Sequence, residues 1–239
     1  MKDKTSRQMS ESLLIGVLLT LTGGYFDAYT FIERGGVFAN AQTGNIVLLG
    51  ISLARGDYGR VLLYLIPIVS FVLGVIVAEL IRTKAKNKII HWRQTVLIIE
   101  LFVICIVSLF PAPQEKGNYY DYNMVSNVLI SFICAVQVQS FRRINGIVCA
   151  TTMCTGNLRS GTDSLIKYSR TKNKTDLHTA LNFYFIDFVF VVGAVISVFV
   201  TSLLHEKALL PCGALVIAAL LIMFSRPKDT SEPDTNDKD

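Results

Sequence analysis

The chain has 239 residues, of which 51% are hydrophobic and 17% charged, with mean hydropathy +0.47 and a formal net charge of +5. A soluble domain carries roughly 25% charged residues, so the composition excludes an ordinary water-soluble globule. The excess of Lys and Arg is no argument for nucleic-acid binding, because in a membrane protein these residues report orientation.

In chain order, a basic segment with Lys2, Lys4 and Arg7 precedes the apolar window Leu13–Ile32. Further windows follow at Val61–Ile81, Thr95–Leu109, Val125–Phe141, Ala180–Leu204 and Ala208–Phe224. Each is long enough, or nearly so, to cross a ~30 Å hydrocarbon core as a helix. Membrane barrel strands would alternate polar and apolar residues, and these runs are apolar all round. The first window is not read as a cleaved signal, because Gly23, Gly24 and Asp27 interrupt it and no small-residue cleavage site follows. The expectation is an all-α membrane protein, with one transmembrane domain over 13–225 between an N-terminal segment 1–12 and a polar, disordered tail 226–239.

Two shorter segments stand between windows. "AQTGNIVLLG" (41–50) runs from polar groups into an apolar stretch, and "CTGNLRSGTD" begins at Cys154 with the same Thr-Gly-Asn. The apolar run Ile46–Ala54 would give about 13 Å of helix, roughly half a bilayer.

Basic residues then decide the topology. They cluster at the N-terminus, at Arg82–Arg93, at Arg142–Lys174 and at Arg226–Lys228, whereas Pro111–Asn123 and His205–Lys207 carry one Lys each. If both Thr-Gly-Asn segments crossed fully, the resulting eight helices would leave a basic cluster outside in either orientation, against the positive-inside bias. If neither crosses, six spans remain and both termini are cytoplasmic. Arg34, Arg55 and Arg60 are the exceptions on the outer side. The two short segments are therefore expected to enter and leave on one side, as re-entrant or broken half-helices.

The motifs lie 112 positions apart (155 minus 43), and the same offset aligns Leu13–Ile32 with Val125–Phe141. Each half, about 13–111 and about 125–225, reads span, re-entrant segment, span, span. Three spans per half force the second half upside down, which is an inverted-topology repeat as in many secondary transporters. Each Thr-Gly-Asn would start a short helix, with Gly giving freedom at the bend and Asn or Thr capping the first amides. Two such starts meeting near the midplane would suit an anion or polar solute. The alternative is that the motifs only cap and pack, Gly44 and Gly156 letting helices touch.

The stretch "GGYFDAYTFIERGGVFANAQTGNIVLLG" (Gly23 to Gly50) resembles the opening signature of the YoaK-like family of bacterial membrane proteins, in its Gly24, Asp27, Gly36, Asn40, Thr43, Gly44, Asn45 and Gly50. The resemblance implies a multi-pass protein of the bacterial inner membrane with six helices. It brings no established substrate, and the permease label attached to some members is inference.

Three acids fall within the windows: Asp27, Glu100 and Asp187. An ionisable group at depth costs at least ~2.5–3.5 kcal/mol on insertion scales, so it faces a cavity or a partner. Asp27 reads either as a cation or proton site, or as a structural acceptor for amides of the segment before Thr43. Glu100 and Asp187 are candidates for coupling, with a helix–helix hydrogen bond as the alternative for Glu100. Asn40, Gln42, Thr43, Gly44, Asn45, Gln137, Gln139, Thr155, Gly156, Asn157 and Arg159 complete the candidate solute- or ion-binding set, and Arg159 and Asp163 are spaced to pair. The five cysteines are scattered and read as small buried apolar groups. No metal-site, cofactor or enzyme motif is present. The sequence therefore points to a small secondary transporter or permease with the bilayer and an unidentified small solute as partners, and a homo-oligomer is compatible with it. The competing reading is a non-transporting scaffold or accessory protein, and an intramembrane enzyme ranks below both.

Overall fold

The computed structural model describes residues 12–84, 92–111, 120–144, 147–149 and 151–225. The expected polar tail and nearly all of the N-terminal segment lie outside these. Among the described residues the chain is helical apart from one small hairpin. The helices are α1 (Leu13–Glu33), α2 (Gln42–Ala54), α3 (Tyr58–Lys84), α4 (Trp92–Val107), α5 (Tyr120–Ser140), α6 (Cys154–Thr171), α7 (Lys174–Leu204) and α8 (Leu209–Ser225). Strands β1 (Arg143–Ile144) and β2 (Ile147–Val148) pair antiparallel just before α6.

Each apolar window becomes a helix close to its expected limits. Four helical stretches are long and apolar enough to cross a membrane: Leu13–Glu33, Tyr58–Thr83, Tyr122–Ser140 and Lys174–Ser225. The last contains two helices, because a 3-10 turn at His205–Ala208 separates α7 from α8 and His205 sits at φ +50°. Pro211 falls in the first turn of α8, where no amide partner is lost. α4 and α8 have 16 and 17 residues, about 24–26 Å of helix. α6 has 18 residues but is polar overall, so it is not a span by composition.

The helices pair in a regular way. α1 packs on α7 and α8, α5 packs on α3 and α4, α2 lies along α3, α6 lies along α7, and α4 meets α8. Exchange α1–α4 for α5–α8 in order, and each of these pairings becomes another member of the same set, except α4–α8, which returns to itself. The two principal contacts are built alike. A Cβ on Gly193 of α7 would run into the backbone carbonyl of Leu21 in α1, and one on Gly74 of α3 would run into that of Phe132 in α5. Small residues let membrane helices approach to backbone contact, where van der Waals packing replaces the absent hydrophobic drive.

The buried core runs through Ile15, Leu19, Tyr25 and Tyr29 of α1, Leu97 and Ile104 of α4, Ile130 and Ile133 of α5, and Cys212 and Val216 of α8. The Tyr25 hydroxyl donates to the Ala208 carbonyl, which ties α1 to the start of α8. Outward faces carry apolar side chains such as Val69, Leu73 and Ile76 of α3 and Phe188, Val195 and Phe199 of α7. Such surfaces belong against lipid.

Arg34, one of the exceptions to the expected charge pattern, is completely buried. Its guanidinium donates to the Tyr29 hydroxyl (3.0 Å) and to the carbonyls of Phe110 (3.0 Å) and Pro111 (3.1 Å) past the end of α4. A cation there satisfies carbonyls that the helix leaves free and matches the negative end of its dipole. Its charge does structural work, so the orientation rule does not apply to it.

Candidate functional site

α1 ends in a Schellman-type cap. Gly35 and Gly36 lie at φ +87° and +79°, a region only glycine enters freely, and the Gly36 amide donates to the Phe31 carbonyl at 3.0 Å. This reverses the chain, which then runs back along α1. Phe38 stacks on Phe31 with ring centroids 4.7 Å apart. One turn deeper than Phe31, the buried Asp27 carboxyl accepts from the Asn40 amide at 2.6 Å and from the Ala41 amide at 3.4 Å. The Asn40 side chain donates to the Gly23 carbonyl at 3.3 Å. Gly23 is the middle residue of the 21 in α1.

α2 starts at this point, with Thr43, Gly44 and Asn45 inside its first turn. The expected cap from Thr or Asn does not form: Ala41 is the N-cap and supplies no side-chain bond. The acceptor comes from Asp27 on the neighbouring helix instead. Asn45 turns back onto its own approach segment, accepting from the Phe38 amide (2.9 Å) and donating to the Phe38 carbonyl (2.7 Å) and Gln42 (2.9 Å). Gln42 in turn donates to the Ala39 carbonyl at 2.8 Å. Gly44 is needed because a Cβ there would stand 2.8 Å from the Phe38 ring. Thr43 is exposed.

The second motif is approached from the other end of α1. After α5 the hairpin packs Ile144 so close to Gly16 that a Cβ on that glycine would lie 2.8 Å away. The Thr152 methyl then occupies the space that a side chain at Gly23 would need. α6 begins at Cys154, so Thr155, Gly156 and Asn157 hold the same helical register as their counterparts in α2. Met153 is the N-cap, again without a side-chain bond. Asn157 accepts from the Cys149 thiol at 3.4 Å and donates to Asp187 Oδ1 on α7 at 2.9 Å. Gly156 has nothing within 4 Å of a Cβ, so neither motif glycine serves contact between two helices as expected. Thr155 and Arg159 are exposed, and Arg159 forms no ion pair with Asp163 among the described residues.

Of the remaining candidates, Gln137 joins this centre. Its amide donates to Thr22 Oγ1 at 3.0 Å, one residue from Gly23. Gln139 stands apart, donating to Glu79 at 3.3 Å near the end of α3, where Glu79 also pairs with Arg82 at 2.8 Å. Glu100 is fully buried between α4 and the core, and neither of its oxygens has a hydrogen-bond partner among the described residues. Sequence reading missed Thr22, Thr152, Cys149, Gly74 and Gly193. The two glycines could have been found as lone breaks in apolar runs. Thr22, Cys149 and Thr152 carry no signal apart from their neighbours in space.

A family model described as "Protein of unknown function (DUF1275)" matches residues 15–222, and the chain belongs to that family. It is 29% identical over 149 residues to the UPF0700 transmembrane protein YoaK of Bacillus subtilis (strain 168), a match covering 60% of this chain and 62% of that relative's length. No solved structure matches. The likeness to YoaK expected from Gly23–Gly50 therefore extends over most of the chain, and the protein is a multi-pass membrane protein.

Proposed function

We propose that this DUF1275 member is a small secondary transporter or permease for a small polar or charged solute, built in one transmembrane domain over 13–225 as two inverted three-span repeats. In this reading α4 and α8 complete six spans, both termini are cytoplasmic, and α2 and α6 are half-helices that enter and leave on one side. The exchangeable pairing of α1–α4 with α5–α8 supports the repeat, and the distribution of Lys and Arg supports the inversion.

One observation carries the proposal. Two approach segments run along α1 from its opposite ends, and their tips, Asn40 and Thr152, reach the same residue, Gly23, at its midpoint. Irregular backbone at that depth is tolerated where it is buried in protein or lines a cavity, and transporters place their binding sites where broken helices of two repeats meet. Asp27 supplies the link to movement. Its carboxyl holds the first tip through the Asn40 and Ala41 amides, so a solute or ion that competes for this carboxyl loosens the tip. Differential binding of that kind shifts a two-state equilibrium. Nothing in the proposal requires catalysis or a cofactor.

The scaffold reading has one observation on its side: Asp27 and Asn45 are satisfied by the backbone of their own half. Uptake separates the two. Proteoliposomes containing the wild-type chain should accumulate at least one member of a broad panel of labelled small solutes, and Asp27→Asn should reduce that uptake about tenfold, the loss of ~1.4 kcal/mol. Absence of uptake across the panel, together with a silent Asp27→Asn in cells, would return the motifs to packing.

A further inference from the structure

The hydrogen bonds around Gly23 have a direction. The Asn40 side chain meets the Gly23 carbonyl, so the group facing it must be Nδ2, and Oδ1 points elsewhere. Gln137 meets Thr22 Oγ1, but that hydroxyl already donates to the Leu19 carbonyl at 2.8 Å. It can only accept from Gln137, which fixes Nε2 toward Thr22. Asn157 faces the Asp187 carboxyl, so its Nδ2 is the donor there. Each amide orientation thus follows from its partner's chemistry.

As a result the amide donors of these side chains are used, and acceptors remain. Asn40 Oδ1, Gln137 Oε1 and Asp187 Oδ2 are buried without a hydrogen-bond partner among the described residues. Asn40 is 8% exposed and Gln137 0%. Thiols lie alongside (Cys134 by Asn40, Cys154 by Asp187) but a thiol is a weak donor and leaves these oxygens unsatisfied. Asp27 takes the amides of Asn40 and Ala41 just ahead of α2, and the Gln42 amide at the helix start donates to the Asn40 carbonyl at 2.8 Å. The buried cation just past α1, Arg34, is committed to Tyr29 and the carbonyls past α4, eleven positions (34 minus 23) from Gly23.

Building on the transporter reading, we propose that the centre around Gly23 takes a small hydrogen-bond-donating cation of the ammonium or alkylamine class. The N–H groups of such a cation match Asn40 Oδ1 and Gln137 Oε1, and its charge matches the Asp27 and Asp187 carboxyls. An anion would meet three unpaired acceptors and two carboxylates, with hydroxyls such as that of Thr151 as the donors left to receive it, which is the costly arrangement for buried polar groups. A neutral polyol would satisfy the oxygens but would leave its own acceptors unmatched. The anion-binding role that two helix starts suggest in the sequence is therefore replaced by its opposite.

The test is thermal unfolding of the purified full-length protein in detergent, at constant ionic strength, with methylammonium, ethylenediammonium, glycerol or acetate added. A ligand that binds only the folded state raises the midpoint with concentration. Methylammonium or ethylenediammonium should do so, while glycerol and acetate at equal concentration should not. Gln137→Met and Asp187→Asn should each reduce the amine-dependent rise by at least half. Two variants are used so that poor folding of either leaves the other informative. A rise with acetate alone, no rise with either amine, or a full rise retained in both variants overturns the assignment. The transporter reading is judged separately by flux. Uptake of an anion or a sugar would sink the cation class and keep transport, whereas amine binding without any flux would do the reverse.

Discussion

α2 and α6 start with the same Thr-Gly-Asn in the same register, yet they are stabilised and surfaced differently. At α2 a carboxyl from the preceding helix, Asp27, accepts from the amides just ahead of the helix, and Asn45 is turned back on its own approach. At α6 a carboxyl from the following helix, Asp187, is reached by the Asn157 side chain. The outward face of α2 is apolar, with Ile46, Val47, Ile51 and Leu53 exposed. That of α6 mixes Leu158, Leu165 and Ile166 with Arg159, Asp163 and Lys167. The backbone device is shared, while the polar chemistry around it was built separately in each half. In the proposed inverted repeat the two copies would lie in opposite leaflets, and different surroundings are what that arrangement would demand.

The largest expected effect comes from breaking what the halves share. Gly193→Ala and Gly74→Ala each push a methyl into a backbone carbonyl that cannot move aside. Each should destabilise by about 1–3 kcal/mol, the cost of an overpacked site, visible as a lowered unfolding midpoint in detergent and a smaller monodisperse fraction on gel filtration. Equal damage would support equivalent halves, and a tolerant Gly74 would break the equivalence. The motif glycines should then divide. Gly44→Ala meets the Phe38 ring and should cost stability, whereas Gly156→Ala meets nothing and should be neutral or raise stability by roughly 0.5–1 kcal/mol, the helix-interior preference for Ala.

A smaller effect separates the carboxyls. Asp27→Leu strands the Asn40 and Ala41 amides and should cost about 1–3 kcal/mol, the penalty of an unsatisfied buried group. Asp187→Leu removes one side-chain bond on a half-buried residue and should cost nearer ~0.6 kcal/mol, the average for polar contacts between membrane helices. Unfolding midpoints of the two variants at one detergent concentration decide this. The reverse order would mean that the second half, not the first, is the rigid one.

The apolar helices were legible because apolar length is a local property. Leu13–Ile32 became Leu13–Glu33, and Ala208–Phe224 became Leu209–Ser225. The motif register was legible too, since an offset needs no geometry. What could not be read was the partner of each polar group. Asp27 and Asn40 are 13 positions apart, but whether the carboxyl takes an amide or awaits an ion depends on the turn at Gly35–Gly36. Gln139, which its sequence placed among the solute-binding candidates, meets Glu79 on another helix instead. Asn157 and Asp187, and Gln137 and Thr22, join across helices through tertiary packing alone. A sequence lists donors and acceptors, and only the fold says which are spent.

The smallest stability effect is the one that divides the two functional readings most cleanly. The Thr43 and Thr155 side chains are exposed, and no side-chain hydrogen bond of either hydroxyl is found among the described residues. Thr43→Ala and Thr155→Ala should therefore leave the unfolding midpoint within about ±0.5 kcal/mol of wild type, as for surface substitutions away from structural features. If the motifs only pack, these hydroxyls have no other duty, and cells or proteoliposomes carrying either variant should behave as wild type. If the two helix starts border a solute path, the same substitutions should slow uptake while the fold is unchanged. A variant that is folded but slow assigns the hydroxyl to transport, because no structural contact is left to explain the loss. Should only Thr155→Ala be slow, the path would be assigned to the half whose outward face is polar, and the apolar face of α2 to lipid.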